Sequence, residues 1–227
     1  MSDYRRYAIY YTPPKGDFAD FGAIWLGWDP VLGRAVAQPR IAGLDLARIT
    51  AGASRYGFHA TLKAPFRLAA GHDAGDLAAA AEHLAEKTAP VTLPGLVLAR
   101  LGSFLALVPA VPGADLQALA AGVVAGLDGL RAPLTGAERA RRRPEQLAPA
   151  QRAYLEEWGY PYVMTEFRFH MTLSDGLEDD LLTRAEASLR PRLRMLPAPL
   201  VIDALSLMGE AADGRFHLIT RLPLRGA

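Results

Sequence analysis

Two short stretches of the sequence, GFHATL at residues 57–62 and RFHMTL at residues 168–173, share the pattern Phe-His-x-Thr-Leu. Side chains of a β-strand point alternately to its two faces. A strand over either stretch therefore places a histidine and a threonine on one face and apolar side chains on the other. The chain has only five histidines, so two copies in matching surroundings indicate a functional pair.

The two copies lie inside a longer internal repeat. His170 follows His59 by 111 residues, and after each histidine the predicted order is helix, strand, turn and strand. The last of these strands opens at Phe104 in one half and at Phe216 in the other, 45 and 46 residues after the respective histidine. Such self-similarity is typical of duplication. It predicts approximate repeats over 4–101 and 103–208, a final strand over 215–223 and an extra helical insertion over 135–163.

Local sequence signals predict a chain of class α+β. Periodicity indicates helices over 17–26, 74–87, 115–130, 150–158 and 178–189, and strands over 4–12, 56–66, 91–101, 104–109, 201–208 and 215–223. We expect one bilobal domain over residues 1–227, with duplicated antiparallel sheets flanked by helices and related by a pseudo-twofold axis. A central cleft on that axis would bring His59 and His170 face to face. Trp25 and Trp28 are interpreted as core residues in preference to a pocket wall.

The composition excludes several functional classes. With 51% apolar residues the chain can bury a full core, and a net charge of +1 argues against strong attraction of the whole protein to nucleic acid or membrane. The lack of cysteine removes disulfides, thiol nucleophiles and Cys-based metal sites. No secretory signal is evident before Lys15, and no apolar run approaches the roughly 20 residues of a membrane helix. We therefore expect a cytoplasmic protein with no membrane partner.

Two facing imidazoles suit acid–base chemistry at neutral pH. An unperturbed histidine has a pKa of about 6.5, so one ring of a pair can be neutral while the other is charged. His59 and His170 can then supply a general base and a general acid for one displacement. The hydroxyls of Thr61 and Thr172 would lie beside the imidazoles and donate hydrogen bonds to non-bridging oxygens of an anion.

Further charged and aromatic residues are candidates for the same site. Lys63 and Arg168 lie in register on the strand faces that carry the histidines, and we predict that they bind phosphate together with the two threonines. Arg55 and Tyr56, at the entrance of the first strand, are candidate substrate contacts. The basic run at 138–143 is interpreted as a solvated helix face, with contact to an anionic ligand as the alternative. Neither H-x-H nor H-E-x-x-H occurs, so no metal or other cofactor is expected.

The paired motif resembles the 2H phosphoesterase superfamily, whose members carry two H-x-[S/T] motifs on a duplicated, bilobal α+β fold. Its members include 2′-5′ RNA ligases and cyclic nucleotide phosphodiesterases. RYGFHATLKAPF at 55–66, FRFHMTL at 167–173 and WLGWD at 25–29 resemble one branch, the bacterial proteins linked with phosphonate-degradation operons. The resemblance covers nearly the whole chain, and the superfamily motif carries over onto His59, Thr61, His170 and Thr172. Where the first copy has Lys63 the second has Ser174, so the lobes are chemically unequal and the cleft is expected to bind its substrate in one orientation.

The resemblance implies a metal-independent phosphodiesterase acting on a small cyclic or nucleotide-like phosphodiester. One histidine would activate the nucleophile and the other would protonate the leaving oxygen, in an order that the sequence leaves open. The phosphonate link implies a ribosyl phosphate as substrate. The alternative function is a non-catalytic RNA- or nucleotide-binding module; nucleic acid is the less favoured partner, because binding alone does not need two titratable groups.

Overall fold

The computed structural model describes residues 4–226 of the chain. The strands are β1 (Tyr7–Tyr11), β2 (Trp28–Asp29), β3 (Arg34–Ala35), β4 (Ala60–Phe66), β5 (Val91–Leu93), β6 (Leu96–Leu101), β7 (Phe104–Pro109), β8 (Met171–Thr172), β9 (Leu200–Ile202), β10 (Ala204–Glu210) and β11 (Phe216–Pro223). The α-helices are α1 (Asp17–Leu26), α2 (Leu46–Ile49), α3 (Ala51–Ser54), α4 (Ala74–Lys87), α5 (Ala114–Gly126), α6 (Gly136–Ala140), α7 (Pro149–Trp158) and α8 (Asp179–Leu189). Short 3-10 helices cover Asp128–Leu130, Pro144–Gln146, Met164–Glu166 and Arg190–Met195.

The two histidine motifs meet at the centre of one antiparallel sheet. Seven strands pair in the order β11-β10-β1-β4-β8-β7-β6, and every pairing is antiparallel. The motif strands β4 and β8 are neighbours, with β1 and β10 on one side and β7 and β6 on the other. This order does not repeat element for element, because β7 lies beside β8 whereas β11, its counterpart in the predicted repeat, lies at the far edge of the sheet; the pseudo-twofold relation stays a prediction. The two halves share one continuous sheet, and their division into repeats 4–101 and 103–208 stays a prediction.

The two faces of the sheet are covered differently. Ile9 and Leu62 belong to a large core cluster, which α4, α5 and α8 complete with buried leucines, valines and alanines. Tyr10, Met208 and Phe216 belong to a much smaller buried cluster. Because neighbouring residues of a strand point to opposite faces, the small cluster lies on the face that carries the motif histidines. This face is the less covered one, and it can receive a ligand.

Two indole groups attach the N-terminal segment to both halves of the sheet. Nε1 of buried Trp25 donates to the carbonyl oxygen of Leu173, the last residue of the second motif, at 2.7 Å. Nε1 of Trp28 donates to the carbonyl oxygen of Phe216 at 3.1 Å, at the start of β11. Buried indole N–H groups need such partners. The interpretation of both tryptophans as core residues is confirmed.

The predicted class, α+β with antiparallel strands flanked by helices, is confirmed by this architecture. The bounds predicted for α1, α4 and β7 agree with the structure residue for residue. The strand predicted over 91–101 is wrong as a single element, because the chain turns at Gly95 (φ 158°) and sends β5 to pair with β9 and β6 to pair with β7. No helix within residues 4–226 combines the length and the apolar character that crossing a bilayer requires.

Candidate active site

The pairing of β4 with β8 brings the two motifs together. Ala60 lies opposite Met171 in this antiparallel ladder. Each of these residues follows its motif histidine directly, so the register places each histidine across from the threonine of the other copy. Four side chains that are distant in sequence are thereby gathered on one face at the centre of the sheet.

The backbone of each motif fixes its own histidine ring. Nδ1 of His59 lies 2.9 Å from the carbonyl oxygen of Gly57, and Nδ1 of His170 lies 2.8 Å from that of Arg168. A carbonyl oxygen only accepts, so Nδ1 donates in both rings and Nε2 of each neutral ring is the acceptor. Gly57 has a φ of 75°, and a Cβ there would lie 2.6 Å from Cγ of Pro30. The turn into the first motif therefore requires glycine.

His59 lies in an enclosed environment. The hydroxyl of Thr61 is 3.1 Å from Nε2, and the buried ring of Tyr10 stacks on the imidazole with the centroids 3.9 Å apart. Burial, which disfavours the charged form, lowers the pKa of His59 to about 4; the nearby His170 contributes to the lowering, and the hydrogen bond to Gly57 opposes it. His59 is therefore neutral at pH 7, and Nε2, which accepts the hydrogen bond of the Thr61 hydroxyl, is its basic nitrogen.

His170 has a looser aromatic environment than His59, although both residues are half-buried. Its ring is half-buried, and the ring of Phe104 approaches it at a centroid distance of 5.9 Å. Thr172 is also half-buried, and the side chain of Arg168 is exposed. The second motif can therefore meet a ligand without first losing a stacked partner. The register sets Thr172 across from His59, and phosphate binding by Thr172 and Arg168 stays a prediction.

Lys63 and Ser174, which occupy matching positions two residues after the motif threonines, are both buried and hydrogen-bonded. Lys63 is 3% exposed, and its ammonium group donates to the carbonyl oxygen of Val124 and to Oδ1 of Asp128, both at 3.0 Å. Ser174, at the matching position, is 1% exposed and accepts a hydrogen bond from the backbone N–H of Leu105 at 3.0 Å. The predicted role of Lys63 in binding phosphate stays a prediction, but its ammonium group already has two partners in the folded chain.

A basic cavity of about 580 Å³ lies beside the first motif. Its lining includes Arg55 and Tyr56, the two candidate substrate contacts. The ring centroid of Tyr56 is 6.0 Å from that of His59, so this wall joins the cavity to the histidine pair, although neither histidine lines it. The role of Arg55 and Tyr56 in substrate binding stays a prediction, now with a defined cavity beside them.

The basic run at 138–143 is divided between two roles. Arg139 is exposed and forms an ion pair with Glu156 of α7, as expected for a solvated helix face. Arg141 and Arg142 line the basic cavity, and the guanidinium carbon of Arg142 lies 4.8 Å from the ring centroid of Tyr160. The interpretation as a solvated helix face therefore fits Arg139, and contact of Arg141 and Arg142 with an anionic ligand stays a prediction.

Sequence reasoning missed three residues of this region. Tyr10 was predicted only as part of a strand, and Arg5 and Arg6, which line the cavity, received no role. The alternation in β1 places Arg6 and Tyr10 on one face and was the available signal. Recognising that face as part of the site required knowing that β1 pairs with β4 and sets Tyr10 opposite Thr61.

Two curated relatives match almost all of this chain. The ribose 1,5-bisphosphate phosphokinase PhnN of Janthinobacterium sp. (strain Marseille) is 39% identical over 231 residues, which cover 97% of this chain and 51% of that protein. The protein of the same name from Laribacter hongkongensis (strain HLHK9) is 37% identical over 222 residues, 96% of this chain and 51% of that protein. The chain thus spans about half the length of the curated relatives it matches.

A solved structure and a family model also match the chain. The crystal structure of E. coli LigT complexed with 3′-AMP is 15% identical, with a TM-score of 0.47 and coverage of 98% of this chain and 99% of that chain. The model of the family described as "Protein of unknown function (DUF1045)" matches residues 61–217. That match begins at Thr61 of the first motif and extends beyond the whole of the second. The chain belongs to the DUF1045 family.

Proposed function

We propose that this protein is a 2H-type phosphoesterase, a metal-independent phosphodiesterase that hydrolyses a small cyclic or nucleotide-like phosphodiester. The observation that carries the proposal is the pairing of β4 with β8, which sets two backbone-fixed imidazoles across from each other's threonine. A binding module needs neither the second imidazole nor a fixed tautomer. A general base and a general acid that act on opposite sides of one phosphorus atom need both the second imidazole and the fixed tautomer.

His59 is the general base in this proposal. It is neutral at pH 7, because burial lowers its pKa to about 4, and Nε2 accepts the proton of the attacking water. His170, protonated at Nε2, gives its proton to the leaving oxygen. One P–O bond forms to water and one P–O ester bond breaks, so the products are a phosphomonoester and a free hydroxyl. Thr61 and Thr172 donate hydrogen bonds to the non-bridging oxygens as charge develops on them.

The substrate that we favour is a small ribosyl phosphate, as the phosphonate-linked branch implies. The curated relatives are named for ribose 1,5-bisphosphate, which supports that chemical class. Their kinase activity is not part of the proposal, because none of the three lysines of this chain follows a glycine as the lysine of a phosphate-binding G-K-[S/T] loop does. The relatives are about twice as long as the segment they share with this chain.

A non-catalytic RNA- or nucleotide-binding module is the second candidate. The observation that favours it is the basic cavity with its aromatic walls, Tyr56, Trp158 and Tyr160, because stacking and positive charge are how proteins hold nucleotides without chemistry. Substitution of the histidines separates the two candidates, since only the enzyme loses turnover while its fold and ligand affinity persist.

The test is a screen of cyclic phosphodiesters with EDTA-treated protein, followed by phosphorus NMR. We expect one or more cyclic phosphates to open to monoesters, and we expect His59→Ala and His170→Ala to abolish most of the rate. His83→Ala is the matched control, because His83 is exposed on α4, far in sequence from both motifs. Folded His59→Ala and His170→Ala proteins that hydrolyse the substrate as fast as the parent would move the binding module ahead.

A further inference from the structure

The basic cavity concentrates far more charge than the chain as a whole. Eight of its lining residues are Arg or Lys and two are Glu, so the lining has a formal excess of six positive charges while the entire chain has a net charge of +1. Like charges held together repel one another unless an anion joins them. A concentration of this kind within one cavity indicates an anionic ligand.

Part of that charge is already neutralised inside the protein. Arg6 forms a two-pronged ion pair with Glu210, at 2.6 and 2.8 Å, and Arg67 does the same with Glu138, at 2.9 and 3.0 Å. The ammonium group of Lys63 is bonded to Asp128. These pairs build the walls, and they are not the groups that would bind a ligand.

Three other arginines of the lining remain available. Within residues 4–226, Arg5, Arg141 and Arg142 form no ion pair with a carboxylate. Arg142 stacks on the ring of Tyr160, which orients its guanidinium group without neutralising it. A planar guanidinium held in this way is well suited to bidentate contact with a phosphate group.

A buried hydroxyl connects this cavity to the histidine pair. The ring of Tyr10 stacks on His59, and its hydroxyl is fully buried with no hydrogen-bond partner in the described part of the chain. The ring centroid of Tyr56, which lines the cavity, is 6.0 Å from that of His59, so Tyr10 and this wall of the cavity flank the same imidazole. An unpartnered buried polar group beside a basic cavity is a second, independent sign that a polar ligand belongs there.

We propose that the cavity is a second anion subsite, which holds a terminal phosphate monoester of the substrate while the diester of the same molecule lies between the two histidines. The inference rests on the proposed function and specifies its substrate as a molecule with two phosphate groups joined by a sugar-sized spacer. The volume of about 580 Å³ is that of a small-molecule pocket, and the charge is gathered in this one cavity, whereas an RNA strand needs a longer track of positive charge.

The first experiment measures binding without chemistry. Calorimetry with ribose 5-phosphate as the probe should show binding to the parent protein and to the His59→Ala/His170→Ala double variant alike, with no binding of ribose at the same concentration. Arg142→Ala and Arg5→Ala should each weaken ribose 5-phosphate about 10- to 100-fold, as expected for the loss of a charged hydrogen bond. Arg142→Lys should restore part of the affinity. Arg184→Ala, which removes an exposed charge from α8, is the control and should bind as the parent does.

The second experiment measures selectivity in turnover. The ratio of kcat/KM for a 2′,3′-cyclic nucleotide with a 5′-phosphate to kcat/KM for the same nucleotide without it should exceed ten in the parent and in Arg184→Ala. It should fall towards one in Arg142→Ala.

An unchanged ratio in a folded Arg142→Ala protein that still hydrolyses both compounds would overturn the subsite and leave the proposed function standing. Ribose 5-phosphate binding that depends on Arg142, in a protein that hydrolyses nothing, would support the subsite and count against the proposed function. Binding of single-stranded RNA but not of ribose 5-phosphate would overturn the subsite.

Discussion

The two histidine motifs have the same backbone arrangement and different surroundings. In both, Nδ1 donates to the carbonyl oxygen two residues earlier, at 2.9 Å in the first motif and 2.8 Å in the second. The first imidazole is stacked under Tyr10 and bonded to Thr61, whereas the aromatic neighbour of the second, Phe104, is tilted and more distant. The duplicated strands thus supply the geometry, and the neighbours of each strand make the two rings chemically different.

The largest expected effect comes from removing either ring. If both histidines transfer a proton in the chemical step, His59→Ala and His170→Ala should each lower turnover by roughly 10²- to 10⁴-fold. The double variant should lose much less than the product of the two losses, because groups that act as one unit are not additive. Steady-state rates on the best substrate of the screen measure this, with thermal melts to show that each variant is folded. Strictly multiplicative losses would show that the two rings act independently.

The motifs themselves could be found from sequence because their signal is local. Alternation within 57–62 and 168–173 indicates the histidine face without reference to the rest of the chain, although the strands themselves begin only after the histidines, at Ala60 and Met171. The ends of α4 were also predictable, since Asp73 and Asp76 form a capping box at its start. Local chemistry of this kind needs no knowledge of the tertiary structure.

The direction of the Lys63 side chain and the existence of the basic cavity could not be predicted in the same way. The pairing of β4 with β1 contains register shifts around Ile9, and a shift of this kind alters the direction of the following side chains. Lys63 therefore reaches Asp128 and the end of α5, where simple alternation would place it beside the histidine. Arg5 and Arg142 line one cavity although 137 residues separate them, and only the tertiary structure brings such charges together.

The pH dependence of stability should report the burial of the His59 ring. The pKa of His59 is lowered from 6.5 to about 4 in the folded protein, so between these values the unfolded chain binds a proton that the folded protein does not. The stabilisation is fully present above pH 6.5 and is lost as the pH falls towards 4, by about 3 kcal/mol. Urea unfolding at pH 7.5, 5.5 and 4.5 should show a smaller loss in His59→Gln than in the parent. Identical pH profiles would mean that His59 is not held neutral, and His170→Gln gives the matching profile for the second ring.

Substitution of Lys63 and of Ser174, the matching residues of the two motifs, should lower stability to a similar extent, although only Lys63 is charged. Lys63→Met takes a partner from Val124 and Asp128, and Ser174→Ala takes one from the backbone N–H of Leu105. Asp128 keeps Arg131 as a partner, so we expect each variant to lose about 1–3 kcal/mol in the free energy of unfolding. Turnover should change little in either case. If Lys63→Met instead lowers substrate affinity at unchanged stability, Lys63 binds phosphate as the sequence predicts.

The smallest expected effect comes from two adjacent tyrosines of β1. The hydroxyls of Tyr10 and Tyr11 are both buried without a hydrogen-bond partner in the described residues, and they lie on opposite faces of the sheet, Tyr11 in the main core and Tyr10 against His59. An unpartnered buried hydroxyl costs stability, so Tyr10→Phe and Tyr11→Phe should each be about 1 kcal/mol more stable than the parent in urea unfolding.

Only one of these two variants should change ligand binding. Tyr10→Phe keeps the ring that stacks on His59 and loses the hydroxyl beside the basic cavity, so its affinity for ribose 5-phosphate should fall by a few-fold, the size of one neutral hydrogen bond. Tyr11→Phe, with the same stability gain on the other face, should bind as the parent does. Equal behaviour of the two variants in binding would assign the Tyr10 hydroxyl to packing alone. A loss of affinity confined to Tyr10→Phe would show that the Tyr10 hydroxyl is left unpaired for a ligand. The stability gained by Tyr11→Phe would then measure what such an unpaired hydroxyl costs.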